Sequence, residues 1–367
     1  MAGRHPASEV PDVGDGLWER IQDAVLAESG AAKTLWNGQL HYTDPNQRVR
    51  GSAAADGTVR LSRELVVRPL QEMYEQQGRP NNREQLIAWR NAVKTVAHEF
   101  SHLAAEPGFE HVDRALGMRR PEFTPIEEGT TEAWSQARLD RVIDRVLPPE
   151  FAAQLKSVRG VESYPAWAPA ARAFAQSVGA EIGLDYREVL DQLNRAGRTG
   201  KGQVAADLLF DASELPSLVP TDAQAAVRAE IRAAIDQGFA DLLPLRDDRS
   251  ADLRTTSGQR GTEIAHAAAQ AVRRAERRFQ PPAAGERVVD RSQVRLEIIS
   301  SPSRAERSGT AGDRPAATPS EGELAALRAL LQSQSPPSRL PAADPAQTRP
   351  RATHTTSRPN DNRPRNR

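Results

Sequence analysis

Val96-Ala97-His98-Glu99-Phe100-Ser101-His102-Leu103-Ala104-Ala105 is the stretch on which the reading of this chain turns. Two histidines four residues apart lie one turn above the other on a helix, so their imidazole nitrogens can converge on one tetrahedral ion. Glu99 is rotated by about 100° from His98, which aims its carboxylate past such an ion toward a water rather than at the ion itself. Residues 83–106 read as one helix, with Leu86, Trp89, Val93, Val96, Ala97, Phe100, Leu103 and Ala104 on a broad apolar face. His98 and His102 fall on the other side, beside Asn91, Lys94 and Thr95. The same pattern also describes a surface helix with two solvated histidines, so a further ligand has to decide between the readings.

That ligand is sought in Thr124-Pro-Ile-Glu-Glu-Gly-Thr-Thr-Glu-Ala-Trp134, where Thr124 and Pro125 suit the N-cap and first turn of another helix. Glu128, Glu132 and Ser135 share an angular sector with Leu139, Val142, Ile143 and Val146, whereas Glu127 shares one with Arg138, Arg141 and Arg145. Inward carboxylates are costly unless paired or bound to metal. Glu128 as a third ligand and Glu132 as an acceptor for a histidine N–H would account for them. Glu127 is accounted for by the helix macrodipole, which favours acid in the first turn.

HExxH followed some 25 residues later by Glu-Gly-x-x-Glu resembles the gluzincin zinc peptidases, over roughly residues 55–170. The resemblance implies zinc bound by His98, His102 and Glu128, Glu99 as general base, and Glu132 supporting a histidine. The rival pattern HExxHxxGxxH fails, because Ala105 and Gly108 occupy the glycine and histidine positions. His111, displaced by three residues, and Asp113 remain alternative third ligands. In the segment Val161-Glu-Ser-Tyr-Pro-Ala-Trp-Ala-Pro169, Tyr164 enters a helix carrying Ala170, Phe174 and Val178 and is a candidate donor to a developing oxyanion, or a core tyrosine.

The 367 residues, 38% of them hydrophobic and 5% aromatic, supply one medium core but not a chain globular to its end. With no cysteine, disulfides, thiolate-bound zinc and thiol catalysis are excluded, which leaves histidine and carboxylate as the strong metal ligands. No apolar run approaches membrane-spanning length and Met1–Pro6 lacks the apolar core of a signal peptide, so the compartment is left open. The zero net charge hides a division: residues 246–367 carry 22 Arg against 14 acidic residues, net +8, and the equal totals of 49 leave net −8 for residues 1–245.

These features predict an α+β, predominantly helical zincin-like domain over residues 17–245 with a small N-terminal sheet. Disorder is expected over residues 1–16, and a largely disordered basic tail with short helices over 246–367. Helices are expected at Leu17–Ala27, after Ser62, at 185–196, 221–240, 262–279 and 321–331, and strands at Trp36–Thr43, Thr58–Ser62 and 288–299. His41, in the first strand, reads as structural. Residues 107–123 read as an irregular connection and Gly197-Arg-Thr-Gly-Lys-Gly202 as a flexible loop, since no Ser or Thr follows Lys201 as a phosphate loop requires. Seven arginines and two aspartates from Pro336 onward suit contact with an anionic surface, although no aromatics are interleaved as nucleic-acid binding would favour. The expected activity is zinc-dependent hydrolysis of peptide or protein substrates. The other readings are a non-catalytic zinc-binding module and a scaffold acting through its tail.

Overall fold

The computed structural model describes residues 9–281 except 15, 48, 77, 78 and 80. It is mostly helical with a small sheet, as the periodicity predicts. Helix α1 (Leu17–Ser29) turns Leu17, Trp18, Ile21, Ala24 and Val25 inward. Strands β1 (Lys33–Thr34), β2 (Leu40–Tyr42), β3 (Gly51–Ala53) and β4 (Val59–Leu61) follow. Central β4 runs parallel to β2, with Leu40 opposite Val59, and antiparallel to β3, with Gly51 opposite Leu61. The expected strands at 36–43 and 58–62 are present in shortened form; Gly51-Ser-Ala, with no aromatic or β-branched side chain, carries little strand signal of its own. Residues 9 and 10, within the stretch expected to be disordered, are held against β2. Val10 is buried and its N–H bonds Leu40 O at 3.0 Å, while Glu9 bridges His41.

Ser62 Oγ accepts from Leu65 N (3.2 Å), turning the chain into a π-helical turn at Arg63–Val67 that runs on into α2 (Arg68–Glu75). Helix α3 (Arg83–Ser101) begins with a reciprocal cap, Gln85 N on Asn82 Oδ1 (2.9 Å) and Asn82 N on Gln85 Oε1 (3.1 Å). It stops earlier than the expected residue 106. Leu103 O accepts from Leu35 N (2.7 Å), and β5 (Ala104–Ala105) pairs antiparallel with β1. Where an irregular connection is expected, α4 (His111–Met118) forms, capped by Asp113, whose Oδ2 accepts from Glu110 N (2.9 Å). A 3-10 turn at Pro121–Phe123 then feeds α5 (Thr124–Val146), so Thr124 is its first residue rather than its cap.

The remaining helices are α6 (Pro149–Lys156), α7 (Ala168–Ile182), α8 (Tyr186–Arg195), α9 (Gly197–Asp211), α10 (Leu215–Leu218), α11 (Thr221–Ala240) and α12 (Leu253–Phe279). Helix α9 replaces the flexible loop expected over residues 197–202: Lys201 and Gly202 are buried within it. Helices α3 and α5 pack against each other at the centre, α3 also against α1, α2, α6 and β3, and α5 against α1, α7 and α8. No helix among the described residues is long and apolar enough to cross a membrane.

The folded body also passes the domain boundary expected near residue 245. Helix α12 packs along α7 and α11, burying Leu253, Ile264, Ala265, Ala268 and Val272. Its contact with α7 is made by small residues, which hydropathy scores poorly. A Cβ on Gly261 would lie 2.0 Å from Ala170 O, and buried Ser257 bonds Ala166 O (2.9 Å) and Ala170 N (3.1 Å). The strand expected at 288–299, the helix at 321–331 and the arginine-rich stretch from Pro336 lie outside the described residues.

Candidate metal centre

Helix α3 is buried on both sides, including the side that reads as polar: Asn91, Lys94, Thr95, His98 and Glu99 are all inside. The facing turn of α5 is equally interior, with Glu127, Glu128, Thr131 and Glu132 buried. Two helices therefore bring four carboxylates and two imidazoles into the protein interior, which is tenable only where each meets a partner.

The two imidazoles meet each other. His98 Nε2 and His102 Nε2 are 3.2 Å apart, and Glu128 Oε2 is 3.5 Å from each. A tetrahedral zinc with bonds of about 2.1 Å would separate its ligands by about 3.4 Å, so the triangle has the size of a face of that tetrahedron. Glu128 Oε2 is buried and no hydrogen bond of good geometry reaches it, which leaves it as a donor to an ion. Among the described residues these three could hold a metal. His111 Nδ1 is 3.1 Å from Ala55 O, and Asp113 is occupied in capping α4, so neither alternative ligand joins the group.

The far side of each imidazole has its own carboxylate. Glu132 Oε2 lies 3.2 Å from His98 Nδ1, and Glu127 Oε1 lies 2.6 Å from His102 Nδ1. Glu127 is thus an orienting residue where the sequence reads a macrodipole acid. Each carboxylate also has a buried lysine. Lys94 Nζ bonds Glu132 Oε1 (2.7 Å), and Lys201 Nζ is 3.3 Å from Glu127 Oε2. The chain has only four lysines, and two of them stand here; in so arginine-rich a sequence that placement was a usable signal.

Electrostatics follow from the geometry. Burial works against a charged His98 imidazole, but Glu128, Glu132 and Glu99 outweigh it and push it up to about 10. His102 is raised for the same reason by Glu128 and Glu127. Burial would raise Glu128, yet His102 and His98 hold it well below the usual carboxylate range. Glu132, opposed by burial and favoured by Lys94 and His98, is brought down to about 2. The cluster is built to hold positive charge at the imidazoles, whether as protons or as a cation.

Glu99 is 1% exposed and shares a pocket with Ser52, Ala53, His102, Arg114, Met118, Glu127, Glu128 and Arg198. The pocket measures about 20 Å³, enough for one water. Strand β3 abuts Glu99 so closely that a Cβ on Gly51 would lie 2.7 Å from its Oε1. On the other side, the ring of Tyr164 stacks on that of His98, 5.7 Å between centroids and 11° between planes. Tyr164 adopts φ 52 there. Its segment is pinned by Asn91 Oδ1 accepting from Val161 N (2.7 Å) and by Glu132 Oε1 accepting from Ser163 N (2.8 Å). His41 stays apart, half-buried in β2.

Arg114 closes the C-terminal end of α3. Its guanidinium donates to His102 O, Ala53 O (2.8 Å) and Ala54 O (3.1 Å), joining the histidine helix to the sheet. Sequence reading misses it together with α4. Compared with protein-family models, curated proteins and solved structures, the chain matches none.

Proposed function

We propose that this protein is a zinc-dependent peptidase of the gluzincin kind, with His98, His102 and Glu128 as metal ligands. The triangle formed by the three donor atoms carries the reading, because three protein ligands leave a tetrahedral ion one open position, as catalytic sites require. Zinc bound there would supply Lewis acidity, lowering the pKa of water and polarising a peptide carbonyl. Glu99, lining the same pocket, accepts the proton of the attacking water and returns it to the departing amine. Glu127, hydrogen-bonded to His102 Nδ1, and Glu132, 3.2 Å from His98 Nδ1, stand where they would orient the two rings with Nε2 toward the third ligand. Tyr164, against His98, is the candidate for stabilising negative charge on the carbonyl oxygen. The zincin-like assignment of the helical domain rests on the same residues.

The burial of the site favours a second reading, a zinc site that serves stability or binding alone. Glu99→Gln separates the two. The peptidase reading expects this variant to retain zinc and fold but lose cleavage of a peptide library by at least about a hundredfold. Equal cleavage by both proteins, or none by either under zinc-loaded conditions, rejects it.

A further inference from the structure

The metal centre is enclosed. His98 is 3% exposed and Glu128 6%, and the pocket beside them holds one water, so a larger ligand reaches His98 only if a wall moves. Most of the walls are fixed. Helices α3 and α5 meet across the core, the Arg114 guanidinium ties α4 to Ala53 O and Ala54 O, and α9 buries Ala205, Ala206, Leu209 and Phe210. Lifting α3, α5 or α9 would expose apolar surface.

The connection between α6 and α7 is different. Buried Val158 secures it at one end. At the other, Ser257 Oγ donates to Ala166 O (2.9 Å) and Trp167 Nε1 to Leu242 O (3.1 Å). Residues 159–165 between these anchors are half-buried or exposed and form neither helix nor strand. They cover the polar side of α3. Asn91 Oδ1 accepts from Val161 N (2.7 Å), Lys94 Nζ donates to Val161 O and Ser163 Oγ (3.0 Å each), and Glu132 Oε1 accepts from Ser163 N (2.8 Å). When the segment lifts, water replaces these bonds, so opening costs far less than parting an apolar contact. Tyr164, stacked on His98, holds φ 52, a conformation that a non-glycine residue rarely adopts and that lifting would relax.

One side chain ties the segment down from outside. Glu162 Oε1 accepts from Arg172 of α7 and its Oε2 from Arg254 of α12, and Arg254 also donates to Glu162 O (3.3 Å). We infer that residues 159–165 are a strap that opens to admit ligands to His98 and the metal centre, with Glu162, Arg172 and Arg254 as its latch. The inference adds control of access to the peptidase reading and rests on that reading for the metal. Helix α12 supplies Arg254 and Ser257, so its docking governs a centre to which it gives no ligand.

Full-length protein tests this in two arms. In the first, hydrogen exchange is followed in zinc-free wild type, Glu162→Gln and Arg254→Gln. The Val161 and Ser163 amides should exchange about two- to tenfold faster in both variants, as loss of partly exposed ion pairs predicts, while α3 and α5 keep their protection. Unchanged exchange at these amides in both variants, or equal acceleration throughout α7 and α12, overturns the strap. In the second arm, Glu162→Cys and Arg254→Cys are combined in this cysteine-free chain and joined by a short, reducible bismaleimide after zinc loading. Removal of zinc by phenanthroline should slow about tenfold or more and recover on reduction, with zinc content unchanged by the cross-link. Removal at one rate before and after reduction overturns the strap. Faster exchange in the first arm with no zinc bound by any of the proteins keeps the strap and rejects the metal centre on which the peptidase reading stands.

Discussion

At the scale of the residue, His98 and His102 each stand between a carboxylate shared with the other, Glu128, and one of its own. Because both imidazoles are raised toward the charged form, a divalent ion must displace protons to bind. Zinc titration by calorimetry near pH 7, repeated in buffers of different ionisation enthalpy, should therefore report net release of protons on binding. The same shift acts on the metal-free fold. His98 titrates near 10 in the folded protein against an ordinary 6.5, so its contribution is complete below pH 6.5 and lost as pH rises toward 10. Metal-free protein should lose melting temperature across that window, and zinc should remove most of the loss. Glu132 acts in the opposite direction: held at about 2 against an ordinary 4.5, it contributes above pH 4.5 and is lost as acid approaches pH 2. Glu127→Gln removes the partner of His102 Nδ1, and zinc affinity measured by competition with a chelator should fall about 10- to 100-fold.

At the scale of the element, α3 and α5 were the most legible parts of the sequence, and the reason is physical. Each carries apolar residues at helical spacing long enough to outweigh any local ambiguity, and α3 has the Asn82 and Gln85 cap besides. The inward sector of Glu128 and Glu132 followed from the same periodicity. What periodicity could not reveal was a helix buried on its polar side, since Asn91, Lys94 and Thr95 look solvated until the segment at 161–164 and α5 cover them. Glu127 was lost for a related reason: its partners, His102 and Lys201, come from α3 and α9, 25 residues before it and 74 after. Helix α12 was underestimated because its docking face, beside Leu253, Ile264 and Val272, is alanine, glycine and serine, which bury little area per residue but allow close backbone approach. Gly261→Ala tests that contact. With Ala170 O only 2.0 Å from the new Cβ, the variant should lose about 1–3 kcal/mol in urea unfolding, against the small gain usual for this substitution in an exposed helix.

At the scale of the whole molecule, the charge division near residue 245 does not coincide with the edge of the folded body, which continues through α12 to Phe279. Truncation after 245 should expose the apolar face of α7 and give an aggregating or partly unfolded product, whereas truncation after 281 should retain the full melting transition of the helical body. Within that body the α3–α5 contact performs two tasks, closing the core and setting Glu128 against the histidine pair. The proposed chemistry depends on whether that contact holds an ion. Equilibrium dialysis against zinc followed by elemental analysis, on wild type, Glu99→Gln and Glu128→Ala, measures this directly. One tightly held zinc per chain in the first two and a loss of at least tenfold in affinity in the third is the result predicted. Wild-type protein that remains folded and takes up no stoichiometric zinc, or Glu128→Ala binding it as well as wild type, contradicts the account.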